Sequence, residues 1–211
     1  RRVLFRSTAV ATPPPPRPIG AGVEPPQRER TQRDPASVPP LDVDLLAHLL
    51  GPEGPIAASF AGYEHRPEQV GLMSAIAEAF NNREHLLAEA GTGTGKSMAY
   101  LLPALVQALQ SEQPVVVSTA TIALQEQVVT KDMPLLLRAL ESVAGSSVAS
   151  RLPDFRRVRY TQLKGRSNYL CLRRWQNLAN GGSLDAGFTA RLMVWTATTQ
   201  TGDRAELQLN G

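Results

Sequence analysis

Apolar residues fall into two patterns along this chain, helical spacing in some stretches and short unbroken runs in others, and the two alternate. Leu41, Leu45, Leu46, Leu49 and Leu50 share one helical face that ends at Gly51-Pro52. Pro67 suits the first turn of a second helix, where its missing N–H costs nothing, and Val70, Met73, Ile76, Ala77 and Phe80 line that helix up to Asn81-Asn82. Leu86-Leu87-Ala88 reads as a short buried strand, and a helical pattern follows from Met98 to about Gln110. Val115-Val116-Val117 lies in a second β-branched strand over residues 114–119. Helices are expected over about 122–130 and 134–143, with Gly145-Ser146-Ser147 as a break. A strand over 158–163 and helices over 169–179 and 187–198 complete the pattern. Helix and strand in alternation predict an α/β fold with a parallel sheet flanked by helices.

Residues 1–40 stand apart, holding ten of the 17 prolines and few large apolar side chains. Such a segment buries too little surface to offset its ordering entropy, so a disordered tail or linker is expected. Seven arginines make it basic, which suits either a solvated linker or contact with nucleic acid. The chain begins at Arg1, and Leu4-Phe5-Arg6-Ser7 matches the translated end of a common sequencing adapter, so the first residues are expected to be a remnant of sequence assembly. The 42% hydrophobic content supports a packed core elsewhere. No apolar run reaches membrane-spanning length, and no signal-peptide core is visible. One cysteine rules out an internal disulfide and fits a reducing, cytoplasmic setting.

The strongest chemical signal is Ala90-Gly91-Thr92-Gly93-Thr94-Gly95-Lys96-Ser97, between an expected strand and helix. Small residues let the backbone curl so that successive N–H groups face one anion, and the helix N-terminus adds its partial positive charge. Lys96 supplies a point charge for the outer phosphates, and the Ser97 hydroxyl suits Mg²⁺. A glycine-rich turn without a ligand is the alternative. Upstream, Tyr63, Arg66 and Gln69 could stack on and hydrogen-bond an adenine edge, or could simply be solvated side chains at a helix start. Downstream, Ser118, Thr119 and Thr121 at a strand-to-helix turn suit a nucleic-acid phosphate, helix capping, or both. From Arg151 to Arg174 the only acid is Asp154, and Tyr160 and Tyr169 lie within that span with Trp175 just past it. That mixture fits a single-strand path or a solvated basic face.

Arg66-Pro67-Glu68-Gln69, the 89–97 loop, Ser118-Thr119-Ala120-Thr121 and Lys164-Gly165-Arg166-Ser167-Asn168-Tyr169-Leu170-Cys171 together resemble the DinG branch of the XPD-like superfamily-two DNA helicases. The resemblance covers about residues 60–211. It implies a RecA-like motor domain over 63–150, incomplete here, and the start of an inserted iron–sulfur domain within 151–211. Residues 41–62 are then a short helix or linker behind the 1–40 tail. By the same resemblance Tyr63, Arg66 and Gln69 recognise adenine, and residues 90–97 hold ATP and Mg²⁺. Ser118, Thr119, Thr121, Lys164 and Arg166 contact DNA. Thr201 to Leu207 matches a segment between the first and later cysteines of the iron–sulfur domain. Cys171 is read either as a lone thiol or as the first of four thiolates on a [4Fe–4S] cluster, and the surrounding match favours the latter.

The implied whole enzyme is an ATP-dependent 5′-to-3′ DNA helicase of repair or replication, monomeric, acting on single strands and duplex junctions. No Asp-Glu dipeptide occurs to position Mg²⁺ and the attacking water. The family order puts that acidic box and the second motor domain after Gly211, so this chain is expected to be an N-terminal piece that turns ATP over poorly. A nucleic-acid-binding module with a regulatory nucleotide site is the second expectation. A different P-loop enzyme is the third, although the sequence lacks the Asn-Lys-x-Asp stretch of a GTPase.

Overall fold

A computed structural model describes residues 2–7 (backbone only), 37–59, 64–91, 93, 95–146, 148–181 and 185–207. These residues divide into two units, the first ending at Leu163 and the second beginning at Lys164.

The first unit is helix-rich. α1 (Val43–Leu49) is capped by Asp42, whose side chain accepts from Leu45 N at 3.0 Å. α2 (Pro55–Ala58) is a single turn that the apolar spacing did not predict. α3 (Pro67–Asn82) has Pro67 in its first turn and stops at Arg83, which takes a left-handed conformation at φ 58°. Asn81 fastens the preceding segment to α3: Leu41 N donates to its Oδ1 at 2.7 Å and its Nδ2 donates to Leu41 O at 2.9 Å.

α4 (Lys96–Ser111) packs against α3, and between them lies the core of Leu46, Leu49, Leu50, Met73, Ala77, Leu101, Leu102 and Leu105, all essentially inaccessible to solvent. The two helices expected over 122–143 are one continuous path. α5 (Ile122–Gln127) passes through a π-helical turn at Val128–Asp132 into α6 (Met133–Glu141). Pro134 explains the wide turn, because it has no N–H to close an α-type bond and its ring crowds the preceding turn.

The sheet is the main departure from expectation. Its strands are β1 (Arg2–Ser7), β2 (Val116–Ser118) and β3 (Val158–Leu163), in the order β2-β1-β3. Both ladders are antiparallel, with Arg2 opposite Ser118 and Leu163, so the expected parallel sheet is corrected. β2 and β3 are parallel to each other, and β1 occupies the place between them. The expected disorder of residues 1–40 is corrected at Arg2–Ser7; residues 8–36 lie outside the described residues.

The strand expected at residues 86–88 is not formed: these residues lack regular structure, with Leu86 at 44% and Leu87 at 101% exposure. A strand exists only where a partner edge is open to it. The edge of β2 that faces β3 is taken by β1. β3 does appear at its expected residues, with Val158, Tyr160 and Gln162 turned inward by its alternation.

The second unit contains α7 (Leu172–Gly181) and α8 (Ala186–Thr198), the latter capped by Asp185. Leu192 and Trp195 are the buried apolar side chains of α8.

Deleting residues 1–7 frees the inner edges of β2 and β3. The expected outcome is stronger hydrogen-exchange protection of the Leu86, Leu87 and Ala88 amides. Unchanged exchange there would show that this apolar run does not compete for the sheet.

Candidate nucleotide-binding site

The start of α3 and the start of α4 meet at the 90–97 loop. Gly93 and Gly95 both have positive φ, 81° and 72°, in the left-handed region that glycine enters without steric cost. Among the described residues no side chain caps α4, so its first-turn amides face the loop unshared by a capping group. Lys96 Nζ donates to Ala90 O at 2.8 Å and Gly91 O at 2.6 Å. An ammonium has three donors, so this leaves one for a phosphate oxygen.

Gln69 is buried at 6% exposure and its Nε2 donates to Gly95 O at 2.8 Å. The Arg66 guanidinium donates to Gly93 O and pairs with Glu64 Oε2 at 2.5 Å. Tyr63, Thr92 and Thr94 lie outside the described residues. Arg66, Gln69, Ala90, Gly91, Gly93, Gly95, Lys96 and Ser97 are therefore brought together, by contacts to loop carbonyls that the sequence did not suggest.

Two more residues at this site were not anticipated. Burial pushes the Tyr100 hydroxyl above its ordinary pKa, the Asp132 charge adds to that shift, and a hydrogen bond with Ser97 opposes it. Asp132 is itself buried in the π-helical turn and accepts from Gln127 Nε2 at 3.3 Å. The i, i+3 spacing of Ser97 and Tyr100 was visible in the sequence. The approach of Asp132, thirty-odd residues on, depends on the wide turn before Pro134.

The candidate DNA residues have separate surroundings. Ser118 is exposed at the end of β2. Thr121 caps α5 by accepting from Leu124 N at 3.2 Å, and the Thr119 hydroxyl donates to Thr121 O at 3.1 Å. Arg166 is exposed on a 3₁₀ turn.

Lys164 differs from them. Its side chain is 5% exposed and its Nζ lies 2.6 Å from Asp203 Oδ2. Around that pair, Lys164 N donates to the Tyr169 hydroxyl at 2.8 Å and Leu170 N donates to Gly202 O at 2.8 Å. The two motif segments of the second unit are thus one interlocked structure. Burial alone would raise the Asp203 carboxyl. Lys164, the Ala205 N–H and the Arg204 charge outweigh it and hold the carboxyl below its ordinary range.

Cys171 is exposed at the start of α7, and Trp175 N donates to its carbonyl at 2.9 Å. The Arg174 amide, helped by the Arg173 amide and both guanidinium charges, holds its thiol below the ordinary value against the opposing effect of desolvation. A [4Fe–4S] cluster needs four thiolates, and the chain has one cysteine. Among the described residues no group of three or more His, Cys, Asp or Glu side chains is arranged to hold a metal. The residues present do not by themselves fit that cluster.

The model of the DEAD/DEAH box helicase family matches residues 70–158. The chain is 42% identical over 170 residues to the "ATP-dependent helicase DinG" of Mycobacterium tuberculosis, covering 72% of this chain and 24% of that protein. Over that span the chain is similar to DinG helicases. The DinG-like chain is also 38% identical over 162 residues to the "3'-5' exonuclease DinG" of Bacillus subtilis, across 75% of this chain and 16% of that protein. With the "ATP-dependent DNA helicase YoaA" of Escherichia coli it shares 34% over 156 residues, 72% of this chain and 22% of the relative. The DinG-like chain thus spans about a quarter or less of the length of these relatives. No solved structure matches it. The helicase match implies a RecA-like α/β fold. Among the described residues no helix is long and apolar enough to cross a membrane.

Two outcomes follow from the second unit of the DinG-like chain. Asp203→Asn leaves a buried ammonium without its counter-charge, and is expected to cost about 3 kcal/mol in urea unfolding followed by tryptophan fluorescence. Both tryptophans, Trp175 and Trp195, lie in that unit, so the signal reports on it. Because the folded Asp203 pKa is depressed, its contribution is present above the unfolded carboxylate value of about 3.9 and is lost as pH falls through the folded value. The variant should therefore show a flatter acid limb below about pH 4. The second outcome concerns Cys171: its alkylation by iodoacetamide should reach half-maximal rate below the ordinary thiol midpoint of about 8.5. A midpoint at or above that value would contradict the helix-start environment.

Proposed function

We propose that the DinG-like chain forms the nucleotide-binding part of an ATP-dependent DNA helicase. The observation that carries this reading is the loop itself, with Gly93 and Gly95 at positive φ, Lys96 clamped across the Ala90 and Gly91 carbonyls, and the α4 N-terminus behind it. Converging amides, a helix N-terminus and a tethered ammonium suit the triphosphate of a nucleotide.

In this reading Lys96 holds the β- and γ-phosphates and Ser97 offers its hydroxyl to Mg²⁺. The bound Mg²⁺ supplies charge neutralisation for the terminal phosphates. Tyr100 and buried Asp132 orient the Ser97 hydroxyl from behind. Tyr63, Arg66 and Gln69 flank the adenine side, and Gly91 to Gly95 wrap the phosphates.

The DNA side of the reading assigns backbone contacts to Ser118, Thr119, Thr121 and Arg166, residue types that bind phosphate without reading sequence. Lys164 supports them indirectly, since its charge is committed to Asp203. The names of the relatives support ATP-driven unwinding in the whole protein, with 5′-to-3′ polarity, action at single-strand and duplex junctions, and a monomeric state as the expected details. In the same reading Cys171 is one of four thiolates of an iron–sulfur cluster, the other three lying outside these 211 residues. A cytoplasmic setting suits its free, thiolate-prone side chain.

Isothermal titration with Mg·ATP tests the nucleotide site. Lys96→Ala is expected to weaken binding at least about tenfold, or about 1.4 kcal/mol. Equal affinity in the variant would remove the central residue of the proposal. Oligo(dT) binding that ignores both ATP and Lys96→Ala would instead favour a DNA-binding module with a nucleotide site of another purpose.

A further inference from the structure

A helix laid on a sheet is ordinarily fastened by a stripe of apolar side chains. α5 is held differently. Among its described residues only Gln125 is buried, and it is fully inaccessible to solvent, while Leu124 beside it stands 48% exposed. A carboxamide is taken out of water only where a partner replaces the water. Gln125 Nε2 donates to Leu163 O at 2.9 Å, the last carbonyl of β3 and 38 residues away in sequence. Both residues belong to the first unit.

The same residue closes the turn between β2 and α5. Gln125 N donates to Thr121 O at 3.1 Å, and the Thr119 hydroxyl donates to that carbonyl at 3.1 Å as well. Thr121 Oγ1 accepts from Leu124 N at 3.2 Å as the cap of α5. A hydroxyl that accepts still has a proton to give. Thr119 has spent its proton inside the turn, so the hydroxyl protons left for a ligand are those of Ser118 and Thr121, both exposed.

We infer that Gln125 is a positioning residue for DNA-backbone contact: its hydrogen bond to β3 fixes the Ser118–Thr121 turn, so that two hydroxyls are presented to phosphate at a set separation. The inference rests on the DNA side of the reading above, which assigns phosphate contacts to that turn. Apolar contact has no preferred direction, so by itself it would let α5 slide and rotate on the sheet. A hydrogen bond weakens steeply as it bends, so a donor directed at one strand carbonyl fixes both motions. Ser118 is tied into β2 at one end of the turn, and Thr121 is tied to Gln125 at the other.

The test measures labelled oligo(dT) by fluorescence anisotropy and Mg·ATP by calorimetry, on the full 211-residue chain. Gln125→Met fills a similar volume and removes the donor. Its dissociation constant for oligo(dT) should rise about fivefold, with Mg·ATP unaffected. The factor should be the same at about 50 and about 200 mM salt, because hydroxyl contacts release no counterions. In a Ser118→Ala/Thr121→Ala background the same substitution should cost little more, since the hydroxyls it positions are gone.

Unchanged oligo(dT) affinity in Gln125→Met, with Ser118→Ala/Thr121→Ala weakened, would overturn the positioning role and leave the DNA reading standing. An undiminished cost in the double-variant background would overturn it too, because the effect would not pass through the turn. Wild-type chain that does not bind oligo(dT), or that binds it equally well without the two hydroxyls, would overturn the DNA reading of this turn, and the inference with it. Should Gln125→Met weaken both ligands alike, Gln125→Leu separates folding from positioning. A loss confined to DNA in that variant would sustain the inference, and the same loss of both ligands would make Gln125 a requirement of the core and overturn it.

Discussion

Each carbonyl that a curled backbone turns away from its anion must find a donor, or the curl loses about 1–3 kcal/mol for that group. In this chain the donors are Lys96 at one end of the motif and Arg66 and Gln69 at the start of a helix upstream, so the 90–97 loop is the joint product of α3 and α4. The packing of those two helices over Met73, Ala77, Leu101, Leu102 and Leu105 is then more than a core. It fixes the distance from which Gln69 reaches Gly95. A change of core volume at that interface would reach the 90–97 loop through the hydrogen bonds of Arg66 and Gln69, without touching any residue of the loop.

The second unit obeys a related constraint. A buried ammonium is tolerated only with its counter-charge and with surrounding hydrogen bonds in place. Lys164 meets Asp203 across nearly forty residues of sequence, and Tyr169, Leu170, Gly202 and Ala205 close around the pair. Two segments that look like separate surface motifs in the sequence are thereby tied together. The same arrangement leaves Cys171 at the exposed start of α7, where backbone amides and two arginines favour its thiolate.

Much of the local structure was legible because it depends on neighbours in sequence. The face from Val70 to Phe80 marked α3, and the alternation at residues 158–163 marked β3. Small residues over 90–97 announced a curled backbone before a helix, and the loop composition announced an anion. Residues 86–88 failed for the opposite reason. An apolar run says that a segment would profit from a sheet, but which segment pairs is decided elsewhere in the chain: Arg2–Ser7 fill the place between β2 and β3. Asp132 was missed because its approach to Tyr100 depends on a π-helical turn.

The sequence by itself determined the chemistry available: a phosphate loop with Lys96 and Ser97, an upstream Arg66 and Gln69, a hydroxyl cluster at residues 118–121, and one cysteine beside two arginines. Those features follow from residue type and short spacing, which no folding event alters. Tertiary structure decided what each group is spent on. It committed Lys164 to Asp203, gave Thr121 to a helix cap, and turned Gln69 toward a loop carbonyl. The physical reason is that a hydrogen-bonding group has a fixed number of partners, and which partners it meets depends on contacts between residues far apart in the chain.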